Sequence, residues 1–263
     1  MRGLVSFAFA LLALISPRLA AAQMQPHHAV YVLRLGAAVN APRIGTAVQD
    51  LTQDCAGWHL KRDITTEIAL TSSWKISIAS KLDAEEGLTG NALRYRTVQV
   101  QNGIERETRG KVMRSAKETL AEVVTPAGPS QLTLPAATLL PVAAINHLIE
   151  RLGARAASFP TLTYDSEVIN DAFLVDVTEL DDSDIRPPPA SDHPVTLPGV
   201  KAWPIFMTFT RGRRQDQKPL FSVKAVVFAN GVLDRLTVDT GLVQVSADLE
   251  ELKMGSRPGC PRS

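Results

Sequence analysis

The sequence predicts a mainly antiparallel all-β protein with one main α-helix, and three observations support this prediction. Apolar and polar residues alternate along much of the chain, as over residues 64–70, which is the period of a strand with one face in water. Asn-Gly pairs at 102–103 and 230–231 separate such segments and are strong signals for tight hairpins. Helical spacing is clear only over residues 134–153. We count about thirteen strands around this helix.

The helix is predicted at about residues 138–153, between two β-rich halves. Pro141 suits the first turn of a helix, where its missing N–H costs no hydrogen bond. Gly153 stands where a C-terminal cap is expected. The apolar stripe between them consists of Ile145, Leu148, Ile149 and Leu152. Because this single stripe must be buried, we expect the helix to pack against the sheet.

The alternating segments predict the strands in order. Those before the helix cover residues 28–35, 44–51, 58–70, 74–78, 93–100, 104–111 and 119–124. Those after it cover residues 161–164, 173–178, 203–210, 221–229, 232–238 and 243–249. Residues 179–198 hold three consecutive prolines and a run of acidic residues, and we expect a mobile surface loop there. This loop lacks the glycine and the final glutamate of a calcium-loop motif, so no metal site is expected in it.

Charged residues decorate the predicted hairpin of residues 93–111. Its arginines are Arg94, Arg96, Arg106 and Arg109, with Glu105 and Glu107 among them. One interpretation is an anion-binding strip; the other, which we favour, is a solvated sheet face with cross-strand charge pairs. The net charge of the whole chain is only +1, which argues against the broad basic surface of a nucleic-acid-binding protein.

Residues 1–22 have the architecture of a signal peptide. Arg2 supplies a positive start, residues 3–15 form a short apolar run, and residues 20–22 are alanines that satisfy the small-residue rule for cleavage. The alternative, an uncleaved membrane anchor, is disfavoured because the run is shorter than a comfortable span. We therefore expect a periplasmic protein whose mature chain, residues 23–263, forms a single domain.

The chain contains two cysteines, Cys55 and Cys260. An even number of cysteines in an exported protein favours a disulfide, which here would close a loop of 205 residues. The chain-entropy model gives ~5 kcal/mol of stabilisation for so long a loop, as an upper figure. The alternative is two free thiols, with Cys260 on a loose C-terminal tail.

Catalytic motifs are not found in the sequence. It has no G-x-S-x-G, H-E-x-x-H, phosphate-binding loop or dinucleotide-binding fingerprint. We therefore expect no enzymatic activity and no cofactor. His27 and His28 lie beside the expected mature N-terminus, where a frayed polar terminus is a better interpretation than a metal site.

Several segments, in their order and spacing, resemble the EipB family of periplasmic cell-envelope integrity proteins, long described as a family of unknown function. These segments are HAVYVLRL at 28–35, CAGW at 55–58, LPAATLLPVAAINHLIERL at 134–152, NGV at 230–232 and the tail cysteine Cys260. The resemblance implies an open β-spiral, an incomplete barrel of about fourteen antiparallel strands. It also implies that the family's paired cysteines map onto Cys55 and Cys260 and tie the ends together. The implied spiral is similar in shape to periplasmic lipoprotein-handling folds.

Two functions of different classes fit these observations. The first is a non-enzymatic protein that supports cell-envelope integrity and envelope stress resistance by binding another periplasmic or envelope protein. The alternative is a periplasmic carrier or chaperone for a lipid or lipoprotein, which would use the concave face of the sheet. The candidate ligand or partner face consists of Trp74, Trp203, Met207 and Phe209. The same residues would also suit a filled core, because cores and cavities are lined by similar side chains.

Overall fold

The computed structural model describes residues 23–69, 75–189, 195–211 and 218–260. The strands before the helix are β1 (His27–Leu35), β2 (Arg43–Gln53), β3 (Gly57–Ala69), β4 (Lys75–Gly87), β5 (Ala92–Gln101), β6 (Ile104–Arg114), β7 (Glu118–Thr125) and β8 (Gly128–Pro135). The helix, α1, spans Pro141–Gly153. The strands after it are β9 (Ser158–Tyr164), β10 (Ala172–Glu179), β11 (Ala202–Arg211), β12 (Phe221–Phe228), β13 (Leu233–Asp239) and β14 (Gln244–Met254).

All of these strands belong to one antiparallel sheet of fourteen strands. The spatial order runs from β8 back to β1, continues to β14, and then runs back to β9. The first and last strands of the chain are therefore neighbours in the middle of the sheet, with His27 opposite Met254. The outermost strands, β8 and β9, do not pair with each other, so the sheet does not close into a barrel. This arrangement confirms the predicted all-β, mainly antiparallel open fold with one main helix.

The alternation pattern missed one strand, β8, because Pro129 lies at its start. A proline is tolerated there because β8 is an edge strand whose free side needs no ladder hydrogen bonds. The other edge strand, β9, likewise carries Pro160. Prolines at both edges also discourage pairing with the strands of another chain.

The helix begins at Pro141 rather than near residue 138, because the residues before it are held in an extended conformation. The Leu139 N–H donates to the Leu162 carbonyl over 2.8 Å, and the Leu139 carbonyl accepts from the Tyr164 N–H over 2.8 Å. Leu140, the N-terminal cap, is extended at φ −79° and ψ 161°, as expected for a residue before proline. This short segment bridges part of the gap beside β9.

The C-terminal end of α1 differs from the prediction that Gly153 forms its cap. Gly153 is the last helical residue, and the left-handed residue that ends the turn is Arg155, with φ of 60°. The predicted stripe is otherwise in place, since Leu148, Ile149 and Leu152 are buried. They pack into a core cluster with side chains of β9 to β12, so α1 lies against the inner face of the later half of the sheet.

Because neighbouring strands are antiparallel, the connections alternate between two ends of the sheet. We call the end that carries the β2–β3 connection and the two chain termini the disulfide end, because Cys55 and Cys260 are bonded there. Their Cα atoms lie 5.5 Å apart, and no cysteine in the chain is free. The opposite end, which carries the β1–β2, β3–β4, β5–β6, β7–β8, β9–β10, β11–β12 and β13–β14 connections, is called the distal end.

The segment that follows β10, up to residue 189, lies largely on the surface as expected, but part of it is fixed to the sheet. It contains a 3-10 helix at Asp182–Asp184, and the Asp184 carbonyl accepts a hydrogen bond from Lys224 over 3.0 Å. Ile185 is buried, and Arg186 forms a buried ion pair with Asp248 of β14. The acidic residues Asp181, Asp182 and Asp184 are exposed, as the composition indicated. The composition gave no sign of the distant carboxylate that holds Arg186. Residues 190–194 of the predicted loop lie outside the described residues.

Candidate binding cavity

The curled sheet surrounds a cavity of about 500 Å³. Its wall is built from the inner faces of β1 to β5 and β9 to β14, together with one side of α1. Most of the wall is aliphatic or aromatic, including Leu33, Ile64, Val175, Met207, Phe209 and Val238. The alternation of each strand explains this, because every second side chain points to the concave face.

The predicted candidate face divides into two parts on β11. Trp203 and Ile205 are buried in the core cluster with α1, and Trp203 is only 2% exposed. Met207 and Phe209 lie further along the same face, are only partly buried, and line the cavity. Trp74 lies outside the described residues. The concave face is therefore a filled core beside the helix and a cavity beyond it.

Three phenylalanines form an aromatic group at the distal side of the cavity. The rings of Phe209 and Phe221 are stacked with centroids 4.5 Å apart. Phe173 meets both of them edge-on, at 5.6 Å and 5.5 Å. Such a group gives a rigid apolar wall, because each ring is held by the other two.

The helix contributes one side of the cavity through Val142, Ala144, Ile145 and Leu148. Its first turn has no side-chain cap of its own. Instead, the carboxylate of Glu86 on β4 accepts hydrogen bonds from the Val142 and Ala143 N–H groups, both over 2.8 Å. Burial raises the pKa of Glu86 to about 7, against the lowering effect of the two backbone donors. The sequence gave no signal for this cap, because Glu86 lies 56 residues before Val142.

A glycine in the β4–β5 turn allows this close approach. Gly90 has a φ of 62°, in the left-handed region that favours glycine. A Cβ atom at this position would lie 2.7 Å from the Cβ of Ala143. Any larger residue would therefore push the turn away from α1 and weaken the Glu86 cap.

The β9–β10 connection closes the cavity on the side of the gap in the sheet. Its backbone carbonyls at Ser166 and Glu167 accept hydrogen bonds from Thr97 and Gln99 of β5, over 3.0 Å and 2.8 Å. The hydroxyls of Tyr95 and Tyr164 are also hydrogen bonded, over 2.8 Å. These contacts join the two halves of the sheet although β8 and β9 do not pair.

The same connection places an ion pair on the cavity wall. Arg62 of β3 donates from Nη2 to Oε2 of Glu167. Burial raises the pKa of Glu167, and the positive charge of Arg62 opposes that rise. The Arg62 Nε atom is buried and has no hydrogen-bond partner among the described residues. Within that part of the chain, Arg62 is the only cationic residue that lines the cavity.

On the exposed face of the β5–β6 hairpin, Arg96 forms a cross-strand charge pair with Glu107, as the favoured interpretation expected, and Arg109 pairs with the same carboxylate along β6. Arg96 donates to Glu107 over 2.7 Å, and Arg109 donates to the same carboxylate over 2.5 Å. These two hydrogen bonds lower the pKa of Glu107 to about 2. The arginines therefore neutralise a carboxylate of their own hairpin.

His27 and His28, which the sequence placed beside the expected mature N-terminus, are ordered in β1 rather than frayed. His27 is buried, and burial lowers its pKa. His28 Nδ1 lies 2.6 Å from a carboxylate oxygen of Asp50 on β2. Across the described ranges, no group of three or more His, Cys, Asp or Glu residues is arranged to hold a metal ion.

None of the described helices is long and apolar enough to cross a membrane.

Exposed apolar side chains are concentrated at the distal end. Leu242, in the β13–β14 turn, is 94% exposed. Further exposed apolar residues at this end are Val39, Val168 and Leu220, which lie in connections, and Ile104 at the start of β6. Large apolar side chains grouped on a surface commonly mark a site of contact with another molecule.

Comparison with known proteins places the chain in a family. A crystal structure described as a β-barrel-like protein of a domain of unknown function, DUF1849, from Brucella abortus aligns with a TM-score of 0.74. The two sequences are 18% identical, and the alignment covers 89% of this chain and 99% of that one. No curated protein matches the sequence. The sequence pattern described as EipB-like matches residues 18–256, and the chain therefore belongs to the EipB-like family.

Proposed function

We propose that this protein is a periplasmic carrier that holds the acyl chain of a lipid or lipoprotein in its internal cavity. The observation that carries the proposal is the apolar cavity of about 500 Å³ inside the curled sheet. Ligand sites commonly have volumes of roughly 300–1,000 Å³ and mostly apolar walls with a few polar groups. An acyl chain is a fitting occupant, because its transfer from water to an apolar wall is favourable by ~0.8 kcal/mol per methylene.

The periplasmic setting is supported by the disulfide, since such bonds persist in oxidising compartments. The predicted signal peptide, residues 1–22, lies outside the described residues. The role in envelope integrity and stress resistance follows from the family resemblance, and a lipid carrier would serve it by moving acylated components between membranes. We infer that the carrier acts without catalysis, and the mostly apolar lining of its cavity supports this.

A second candidate function is the binding of a periplasmic or envelope protein. The exposed apolar residues of the distal end favour it, because Leu242 and its neighbours would be covered by a partner. This contact would use the rim of the fold rather than the cavity. The two functions would therefore use different surfaces of the protein, the cavity for a carrier and the distal end for a protein partner.

The test is to purify the protein from the periplasm under mild extraction and identify bound lipids by mass spectrometry. Two variants localise the binding. Ala47 lines the cavity from β2, so Ala47→Trp fills the space and is expected to abolish lipid co-purification. Thr65 is exposed on the outer face of the neighbouring β3, so Thr65→Trp serves as a matched control and retains the lipid. If the wild type carries no lipid and binds no added fatty acid, the carrier function is wrong and the protein-binding function is favoured.

A further inference from the structure

We propose that Arg62 is the polar anchor of the cavity and binds the oxyanion head, carboxylate or phosphate, of an acyl-chain ligand. This inference rests on the proposed carrier function and adds the chemical class of the ligand's head. It distinguishes an anionic amphiphile from a neutral one of the same chain length.

The position of Arg62 supports this assignment. Arg62 lies on β3, and the inward-facing residues on either side of it are Leu60 and Ile64. Its guanidinium therefore lies in an apolar wall. An acyl chain that fills the space beside Met207 and Phe209 would meet no other cationic group among the described residues of the wall. An ion in such a low-dielectric setting interacts more strongly than one in water.

The acidic groups of the wall are already engaged by other parts of the protein. The Glu86 carboxylate caps α1, accepting from the Val142 and Ala143 N–H groups. Asp165 Oδ2 accepts the N–H groups of Val168 and Ile169 within its own connection, both over 2.7 Å. Glu167 is the acid that contacts Arg62.

The hydrogen-bonding capacity of Arg62 is not filled by this one contact. A guanidinium has five N–H donors in a fixed fork, and Arg62 reaches Glu167 through Nη2. Its Nε has no partner in the described structure but is buried, so an incoming anion would reach the guanidinium through the accessible part of the side chain, which is 32% of its surface. A carboxylate or phosphate could therefore form additional charge-assisted hydrogen bonds with the same fork.

Glu167 is suited to share Arg62 with an incoming anion. Its side chain is largely buried, and burial already raises the pKa of its carboxyl group. A second anion nearby would raise that pKa further and promote proton uptake, which removes the repulsion between the two acids. Glu167 thus pairs with Arg62 and can share it with the oxyanion of a bound ligand.

The test is to measure the affinities for palmitate, palmityl phosphate and palmityl alcohol by calorimetry. These ligands share the same chain length and differ in their head group. We expect at least one of the two anions to bind the wild type about ten- to a hundredfold more tightly than the alcohol, the range for a hydrogen bond to a charged group. Comparing palmitate with palmityl phosphate shows which oxyanion the site prefers. In Arg62→Gln this preference over the alcohol is lost, whereas affinity for the alcohol is unchanged.

Two further variants keep the result interpretable. Arg62→Gln leaves Glu167 buried without its partner, so the double variant Arg62→Gln/Glu167→Gln, which removes both charges, is measured alongside it and is expected to lose the preference too. Arg94→Gln, on the exposed outer face of β5, is the control for loss of an arginine and keeps the preference. If the wild type binds all three ligands equally, the Arg62 assignment is wrong while the carrier function stands. If it binds none of them, the carrier function is wrong as well.

Discussion

Two regions of one strand, β11, differ in what lies opposite them. Trp203 and Ile205 at its first half pack against residues of α1 and neighbouring strands and are almost completely buried. Met207 and Phe209 lie further along the same face of the strand and line the cavity. The strand has the same alternation throughout. The alternation of side chains therefore determines which face of the strand points inward, whereas the position of α1 determines whether that face becomes core or cavity wall.

The placement of the helix depends on contacts distant in the sequence. Leu139 pairs with β9, and Glu86 of β4 holds the first turn. Together they fix α1 between the two halves of the sheet, so that its stripe covers β9 to β12 near Trp203. The remaining inner face, around Arg62 and Phe209, borders the cavity.

The core side of this comparison should be the most sensitive to truncation. We expect Trp203→Ala to lower the free energy of unfolding by about 3–5 kcal/mol, the range for removing a large buried aromatic side chain. Urea denaturation followed by circular dichroism measures this loss. The folded variant should still bind palmitate as the wild type does. A loss below about 1 kcal/mol would mean that Trp203 is not part of a packed core.

The Cys55–Cys260 bond at the disulfide end should contribute a similar or smaller amount to the free energy of unfolding. We expect Cys55→Ser, Cys260→Ser and the double variant to lose the same free energy of unfolding, about 2–5 kcal/mol. Each change removes the whole bond, so the losses do not add. Wild-type protein unfolded in the presence of reductant supplies the matched control. Full thiol labelling of the denatured, unreduced protein would show that the bond is absent.

The helix cap should make stability depend on pH. The pKa of Glu86 is raised in the folded protein to about 7 from an ordinary value of 4.5, so the folded state retains a proton that the unfolded state has lost. Its contribution is therefore fully present below about pH 4.5 and is lost as pH rises through about 7. We expect a loss on the order of 3 kcal/mol across that window.

Chemical denaturation at several pH values tests this dependence. Glu86→Gln cannot ionise, so its free energy of unfolding should lack this fall between pH 5 and pH 7.5 or so. Glu85→Gln changes the exposed neighbouring residue and should retain the wild-type profile. If wild type and Glu86→Gln show the same profile, the buried cap does not control the stability of this end of the fold.

The cavity side should show the smallest effect on stability and a large effect on binding. We expect Met207→Ala to lower the free energy of unfolding by only about 1 kcal/mol, because the side chain is partly buried and borders the cavity. Met207→Glu should abolish lipid co-purification while the β signature in circular dichroism persists. Thr208→Glu, on the opposite face of β11, is the control and should retain the lipid. Retention of lipid by Met207→Glu would place the ligand elsewhere.

The sequence was sufficient for the architecture but not for the site. Alternation predicted most strands, and helical spacing predicted that Leu148, Ile149 and Leu152 would be buried. It missed β8, whose prolines mask an edge strand. The difference between Trp203 and Met207 could not be predicted, because both occupy inward positions of one strand. Pairs of residues far apart in the sequence, such as Arg62 and Glu167, were also missed, because a separation of 105 residues leaves no local pattern.

The most direct test of the divided inner face is a crystal structure of the protein prepared with palmitate. We predict continuous density for the acyl chain in the cavity against Met207 and Phe209, with its carboxylate beside Arg62. Trp203 and Ile205 should keep their positions against α1. Density for palmitate on the outer surface, or entry of the chain between α1 and Trp203, would contradict the division of this face into a filled core and a ligand cavity.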